Sequence, residues 1–600
     1  TKDSADLVVL NEVTPTEHEA AIDFGKAKVK LLTNIYNWRI SFPISIIYIA
    51  LADITACFRF ARIMADITGA FGFMADGLYF LSTSHVFGSN TSASSWEPLR
   101  RAIQALIPVK MKDKSLVAKH RELLDRITWD EPSGVPIVPA TACEINRGVI
   151  TPTGAIEEPK GNIYVDDILS AGVAKNYIEQ LMAATIEAIF EVCGQPKIEV
   201  RQCPLSLKKW WDTIVGPRQT VLGLIVDTNA MTVGLPKQYR DEVRSLLEKW
   251  PKERRFFRCP DMQKLIGKIA RLGEGAPWIF KIMSHLYTSL AFALQSNKAF
   301  LEASSPKFKA LVNQIHRKHF SGNANDIAKQ MNFAMQITAK MVNSNKSFYP
   351  INDSMREELN FIRQALSEDS GIKFETPIAF LIPRMPTGLA FGDSSLTGCG
   401  GYSTKFRFWW HLAFPQKILQ WTLPNIKSKN DPTLISINAL EYATVIINYC
   451  ASLVALNEMP NICSDCHPTV LCITDNTSAK NWTTHTSKTS PIGRALARFF
   501  CGILINSNLG INAKWIDTHT NIIADDISRV KESTNNPSSP ILEYDFTKLQ
   551  QKHSELKTCR FFQPSPKLLS AIWAILLTKK CPELKEVLAL KPCDFGKLLT

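Results

Sequence analysis

Residues 386–529 constrain the fold more tightly than any other stretch, because apolar periodicity alternates there between strand and helix in a fixed order. A turn at Pro386, Thr387 and Gly388 opens a strand-like run ending at Asp393. Two more strand-like runs follow at 400–404 and 406–412, with Gly398, Gly400 and Gly401 at the turns. A helical pattern over 436–453 puts Leu440, Val445 and Ile446 toward a core and Glu441 near its start. Next come a buried-type strand at 470–476 ending on Asp475, a helix at 492–504, a strand at 511–516 and a short closing stretch with Asp525. Each of these acids alone is an ordinary surface carboxylate. Four of them, at the ends of four elements that one sheet would gather, are what two-metal phosphodiester hydrolysis needs.

A second constellation lies in the first third. Tyr164–Val165–Asp166–Asp167 sits between apolar, strand-forming residues, after a Pro/Gly-rich approach (Pro152, Gly154, Pro159, Gly161). Neighbouring strand residues face opposite sides, but a tight turn can present both carboxylates together. Such a pair repels unless a divalent cation with a taste for oxygen ligands relieves it. A surface hairpin with an acidic turn is the alternative. Upstream, the β-branched run at 44–51 leads into Asp53, with Phe58 five positions on. Two strands side by side would bring Asp53 to Asp166 and make a two-metal site for nucleotidyl transfer.

Here the residues carry a resemblance. Asp53 to Phe58 followed by Tyr164–Asp167 is similar to the palm of a reverse transcriptase, and the order and spacing resemble retrotransposon polymerases of the DIRS-like, tyrosine-recombinase group. The resemblance implies that Phe58 is the steric gate against a ribose 2′-hydroxyl, a buried core aromatic being the alternative. It implies that Phe87–Gly88–Ser89–Asn90 and Ser94–Ser95–Trp96–Glu97–Pro98 position template and nucleotide ahead of a helix carrying Arg100 and Arg101. Leu222–Gly223 within Thr220–Asp227 is similar to the primer-grip hairpin, and Lys208 or Lys209 becomes the lysine near the incoming triphosphate. Only 52 residues precede Asp53, fewer than this family's fingers usually occupy, so a truncated fingers region is expected. The order three strands, helix, strand, helix, strand, helix is that of a ribonuclease H fold. Ala524–Arg529 resembles the tail of such domains in retroelements and aligns Asp525, rather than Asp526, with the catalytic acid. His519 would assist product release by the same likeness, with an exposed loop histidine as the alternative.

Between the acidic sets the chain is basic and helical. Lys252–Glu253–Arg254–Arg255–Phe256–Phe257–Arg258 mixes cations with rings, a combination suited to phosphates and bases. A helix over 261–272, N-capped by Asp261, would bury Leu265, Ile269 and Leu272 and align Lys264, Lys268 and Arg271 in one stripe. The stripe is either a solvated face or a thumb helix tracking a duplex. Lys+Arg 69 against Asp+Glu 56 gives a net charge of +13, compatible with a polyanionic partner. Fourteen cysteines without framework spacing suit a reducing interior, cytoplasm or nucleus, and Cys463–Ser464–Asp465–Cys466–His467 reads as a chance haem-like pattern. No signal peptide or membrane span is expected, and a chain opening on Thr1 is expected to be a piece of something longer.

At 600 residues several domains are required. The expected architecture is an α+β multidomain chain: fingers and palm over 1–235, a mainly helical thumb and connection over 236–385, an α/β ribonuclease H-like domain over 386–530, and a linker with a helical C-terminal segment over 531–600. The expected function is RNA-directed DNA synthesis joined to ribonuclease H cleavage. Asp53, Asp166 and Asp167 would serve the first, and Asp393, Glu441, Asp475 and Asp525 the second. Each site would take two Mg²⁺ ions, with Mn²⁺ as a substitute. The partners would be an RNA template, a DNA primer, the RNA–DNA hybrid and deoxynucleoside triphosphates, with no membrane; oligomeric state stays open. A catalytically inactive nucleic-acid-binding remnant, or a chain in which the nuclease alone works, are the rivals. Separation of the Asp53 and Asp166 carboxylates beyond about 6 Å would favour the remnant.

Overall fold

A computed structural model describes residues 26–63, 72–75, 78–82, 84, 92–130, 134–138, 162–196, 203–317, 319–320, 324–344, 347–422, 434–462, 466–487, 489–530 and 546–599. The segment with Gly88, the Pro/Gly-rich approach to Asn162, and the linker after Lys531 lie outside these residues. Helices and sheets are mixed, and several separate hydrophobic cores make the chain multidomain.

The first sheet runs Ile47–Asp53, Asp167–Val173, Asn162–Tyr164 in space, all antiparallel. Its central pairing obeys the period of two. Tyr48 and Ala50 pack into one core with Ile168 and the helix Lys175–Cys193, while Ile49 reaches another with Leu31, Ile35 and Val226. Both faces are covered, so the strand is apolar almost throughout.

A second antiparallel sheet holds Arg218–Val221, Leu224–Asp227, Thr232–Gly234 and Glu375–Pro377. Its first hairpin turns on Leu222 and Gly223, at φ 49° and 75°. Two residues with positive φ match the right-handed twist of the flanking strands. Glycine tolerates this freely. Leu222 does not, and its carbonyl is held by the Arg271 guanidinium from the helix Cys259–Leu272. That helix buries Met262, Leu265, Ile266, Ile269 and Leu272, but it begins two residues before Asp261, whose side chain caps nothing. Tyr349–Pro350 pairs with Phe256–Phe257, and the helix Asp353–Leu366 continues the same core.

The third sheet has seven strands, ordered Gly510–Trp515, Thr469–Thr474, Gly388–Ser394, Gly398–Ser403, Phe408–Ala413, Arg560–Pro564, Gly596–Leu599. The first five are those expected from sequence; the last two amend the expectation for 531–600. That segment contains helices, yet Phe561 and Phe562 sit in a strand parallel to Phe408–Ala413, and Gly596–Leu599 closes the edge antiparallel to it. A five-residue strand completed by a sheet edge far upstream in the chain leaves no local helical or alternating signature.

The helix Ile437–Glu458 lies across this sheet, buried without a break from Ala439 to Ala455. Its approach requires glycine beneath it. A Cβ on Gly392 or Gly401 would meet the Asn448 side chain at 2.5 or 2.3 Å. Asn448 instead bonds the Phe391 carbonyl and receives the Trp410 indole N–H. By length and composition this helix could cross a membrane, but 94% of its apolar window is buried inside the fold. It is a core helix, which is why it is apolar all round.

Candidate metal centres

The first centre is built by register. Asp53 is the last residue of its strand and pairs directly with Asp167, the first residue of the next. Between Tyr164 and Asp167 the chain turns through Val165 at φ 56°, a strained position for a β-branched residue. Two bonds hold it. The Trp96 indole donates to the Val165 carbonyl at 2.7 Å, and the Ile54 amide to the Asp166 carbonyl at 3.0 Å. The turn thereby defeats strand alternation and places carboxylate oxygens of Asp53, Asp166 and Asp167 within 4.8 Å of one another. This is inside the separation at which shared metal binding would fail.

Burial first, and then the neighbouring acid charges, push both Asp166 and Asp167 above the usual carboxylate range, with Lys209 opposing. Lys209 comes from the short helix Leu207–Trp211, which is tied to the acidic strand by Ser206 N–H donating to the Asp53 carbonyl at 2.8 Å. Its Nζ lies 2.5 Å from Asp53 Oδ1. Of the two candidate lysines, Lys209 therefore faces the acids, while Lys208 is exposed. Phe58 lies buried in the core with Trp96 and Ile103.

The second centre gathers acids from three elements. Oxygens of Asp393, Glu441 and Asp475 lie within 4.8 Å of one another, at the C-terminal ends of two adjacent parallel strands and near the start of the buried helix. Glu441 accepts from the Ser394 amide at 3.0 Å and the Thr474 hydroxyl at 3.2 Å. Ser528 donates to Asp393 Oδ2 at 2.5 Å, and Thr518 to Asp475 Oδ2 at 2.7 Å. Burial and the neighbouring acids lift Glu441 well above its ordinary range and Asp393 to about 6.

Asp525 is not part of that trio. It sits on the helix Ile522–Ser528, close enough for its charge to act on Asp393, with its carboxylate bonded by Arg529 at 2.6 Å. Asp526 points elsewhere, to Lys552 and His553, each at 2.6 Å. His519 lies exposed on a single turn beside Thr518.

Both trios suit a hard divalent cation. They offer only carboxylate oxygens, crowded enough to be hard to ionise together, and near the second the buried Ser394 Oγ and Asn521 Oδ1 have no hydrogen-bond partner.

The expected nucleic-acid contacts fare differently. Arg100 is buried rather than available to a ligand. With Arg101 it binds the buried Glu97 carboxylate at 2.7 Å, holding Glu97 below its ordinary range against the opposing effect of burial. The segment thought to precede the arginine helix is already within it, since Ser92–Lys110 is continuous through Pro98. Arg254 stacks 4.1 Å from the Trp250 ring and bonds the Lys249 carbonyl, while Arg255 is exposed. Along the stripe Lys264 is exposed, Lys268 pairs with Glu242 at 3.0 Å, and Arg271 holds the Leu222 turn and Glu274. An exposed pair such as Lys268–Glu242 contributes little and yields readily to a phosphate. The buried Glu97 pairs do not. The Glu97 network could have been suspected from Glu97 to Arg100 and Arg101 at i+3 and i+4; the His553 contact to Asp526 carried no sequence signal.

No family model matches the chain, and no curated protein matches it. Among solved structures, a foamy viral protease-reverse transcriptase with an RNA/DNA hybrid aligns over 82% of this chain and 46% of its own, at 11% identity and TM-score 0.30. The same type of protein with double-stranded DNA aligns over 79% and 58%, at 11% and 0.30. A native prototype foamy virus protease-reverse transcriptase aligns over 84% and 46%, at 12% and 0.19. The chain thus spans about half the length of these proteins. Overlaps this loose decide nothing about chemistry, which rests on the two acidic centres.

Proposed function

We propose that the chain is a retroelement polymerase joined to a nuclease: it copies RNA into DNA at the first centre and cleaves the RNA strand of the resulting hybrid at the second. The observation that carries this reading is the presence of two separate carboxylate trios, each assembled from different elements within 4.8 Å. One acidic cluster is common on a protein surface. Two partly buried ones, each raising the cost of ionising its own members, are expensive unless a cation uses them.

Asp53, Asp166 and Asp167 would hold the metals of the polymerase, and Asp393, Glu441 and Asp475, with Asp525 alongside, those of the nuclease. Bound Mg²⁺, or Mn²⁺ in its place, activates the attacking oxygen and stabilises the leaving one in such chemistry. Lys209 supplies a positive charge at the mouth of the first trio, where triphosphate oxygens would arrive. The Val165 turn keeps Asp166 and Asp167 aimed at the same point. At the second trio, Thr474, Thr518 and Ser528 orient one acid each. On this reading the first sheet is the palm, the helix Cys259–Leu272 belongs to the thumb, the seven-stranded sheet is ribonuclease H-like, and the setting is intracellular.

Primer extension on an RNA template and cleavage of a labelled hybrid, by wild type, Asp166→Asn and Asp393→Asn, test this. Each substitution is expected to remove one activity and spare the other. Equal extension by wild type and Asp166→Asn overturns the polymerase assignment.

A further inference from the structure

The helix Ile522–Ser528 has seven residues, too few to persist by backbone bonding alone. It nevertheless carries Asp525 and the Ser528 hydroxyl that orients Asp393. Two sets of contacts hold it. One comes from the sheet: Ile527 packs so closely on Gly400 that a Cβ there would meet it at 2.3 Å, and His411 Nδ1 lies 2.7 Å from the Ile527 carbonyl. The other comes from the C-terminal segment. Leu549, Leu556 and Cys559 form a small core with Ala524, Ile527, Tyr402 and Trp409, separate from the main core of the sheet. Above it His553, itself buried, meets Asp526 at 2.6 Å, with Lys552 on the same carboxylate oxygen.

Part of what clamps this helix is therefore supplied by residues after the linker, and the next strand, Arg560–Pro564, is built into the sheet itself. We infer that residues 546–559 are a positioning element of the second centre, with His553 acting through Asp526 to set where Asp525 and Ser528 stand. This role rests on the nuclease reading above. His553 touches no acid of the trio, so it is a positioning residue rather than a catalytic one.

The test uses the full chain and Mn²⁺ alone, titrated by electron paramagnetic resonance. The affinity of the second centre is the part of the binding that Asp393→Asn removes. His553→Ala is expected to weaken that affinity by about tenfold, in the range of substitutions that disturb the support of metal ligands. His553→Gln, which keeps a donor toward Asp526, is expected to restore it. Hybrid cleavage should follow the same order, and the melting temperatures of the two variants should agree. Unchanged Mn²⁺ affinity in His553→Ala overturns the inference. So does equal weakening in both variants with equal loss of melting temperature, which would mark a merely structural contact. If His553→Ala does not fold, Asp526→Asn takes its place, with the same expectations. Loss of no Mn²⁺ at all in Asp393→Asn would instead overturn the nuclease reading, leaving the clamp without a site to serve.

Discussion

The two acidic centres solve one electrostatic problem in different ways. At the first, an internal cation is already in place: Lys209 reaches Asp53 from a neighbouring helix and is largely exposed itself. At the second, the trio is met by neutral donors, namely Ser528, Thr518, Thr474 and the Ser394 amide, and the nearest cation acts through Asp525. The first centre is therefore the more open and is partly charge-compensated, the second the more buried and met by neutral donors. Hydroxyl donors orient an oxygen without cancelling its charge, so protonation or a metal must do the rest. The first should tolerate the absence of metal better than the second.

Several experiments would break or sharpen that contrast. The largest effect expected is on turnover: Asp166→Asn and Asp393→Asn should each lower their own activity by roughly 10³-fold or more while leaving the other within a few-fold. Loss of both activities in either variant would mean that the two centres are not independent.

Next is the metal-free stability of the second centre. Asp393 moves from 3.8 to about 6 on folding, chiefly by burial. An acid whose folded pKa is raised stabilises the fold fully below its unfolded pKa and loses that contribution as pH rises through the folded value. The advantage of Asp393→Asn over wild type, read as a difference in melting temperature without metal, should therefore grow between about pH 4 and 6 and then level off. Its limit is roughly 3 kcal/mol, and Mg²⁺ should erase it. A flat difference would show that Asp393 is not strained when ionised.

A smaller effect belongs to the turn of the first centre. Trp96→Phe removes the donor to the Val165 carbonyl inside a buried setting and should cost about 1–3 kcal/mol, measured by denaturant unfolding. Extension should fall with it and hybrid cleavage should not. The smallest is Lys209→Gln, which should lower the Mg²⁺ concentration for half-maximal extension by a few-fold, about 0.6 kcal/mol, because no ammonium then competes for Asp53. A higher Mg²⁺ requirement would refute the idea that Lys209 stands in for a cation.

Much of this was legible in the chain. The first five strands of the seven-stranded sheet and its helix follow from periods of two and 3.6 in 388–515, and each of the three clustered acids sits where its element ends or begins. The hairpin acids could be read because Asp166 and Asp167 interrupt an apolar strand, which demands a turn. The length of the helix Ser92–Lys110 could not, since a proline inside a helix usually ends or kinks it and this one runs on through Pro98 and Pro108. Nor could the fate of Arg100: a cation on a helix looks the same in sequence whether a phosphate or a buried Glu97 awaits it.

The sequence by itself determined which residues lie on which face of each strand and helix, because side-chain direction is a local property of the backbone period. That was enough to nominate Asp53, Asp166, Asp167, Asp393, Glu441, Asp475 and Asp525, of which Asp525 alone stands outside its trio. Only the tertiary structure decided that Asp167 stands opposite Asp53, that Lys209 rather than Lys208 meets the acids, that Asp526 turns to His553, and that residues 560–599 extend the sheet. These are contacts between elements far apart in the chain, chosen by packing and charge at close range, and no local period records them.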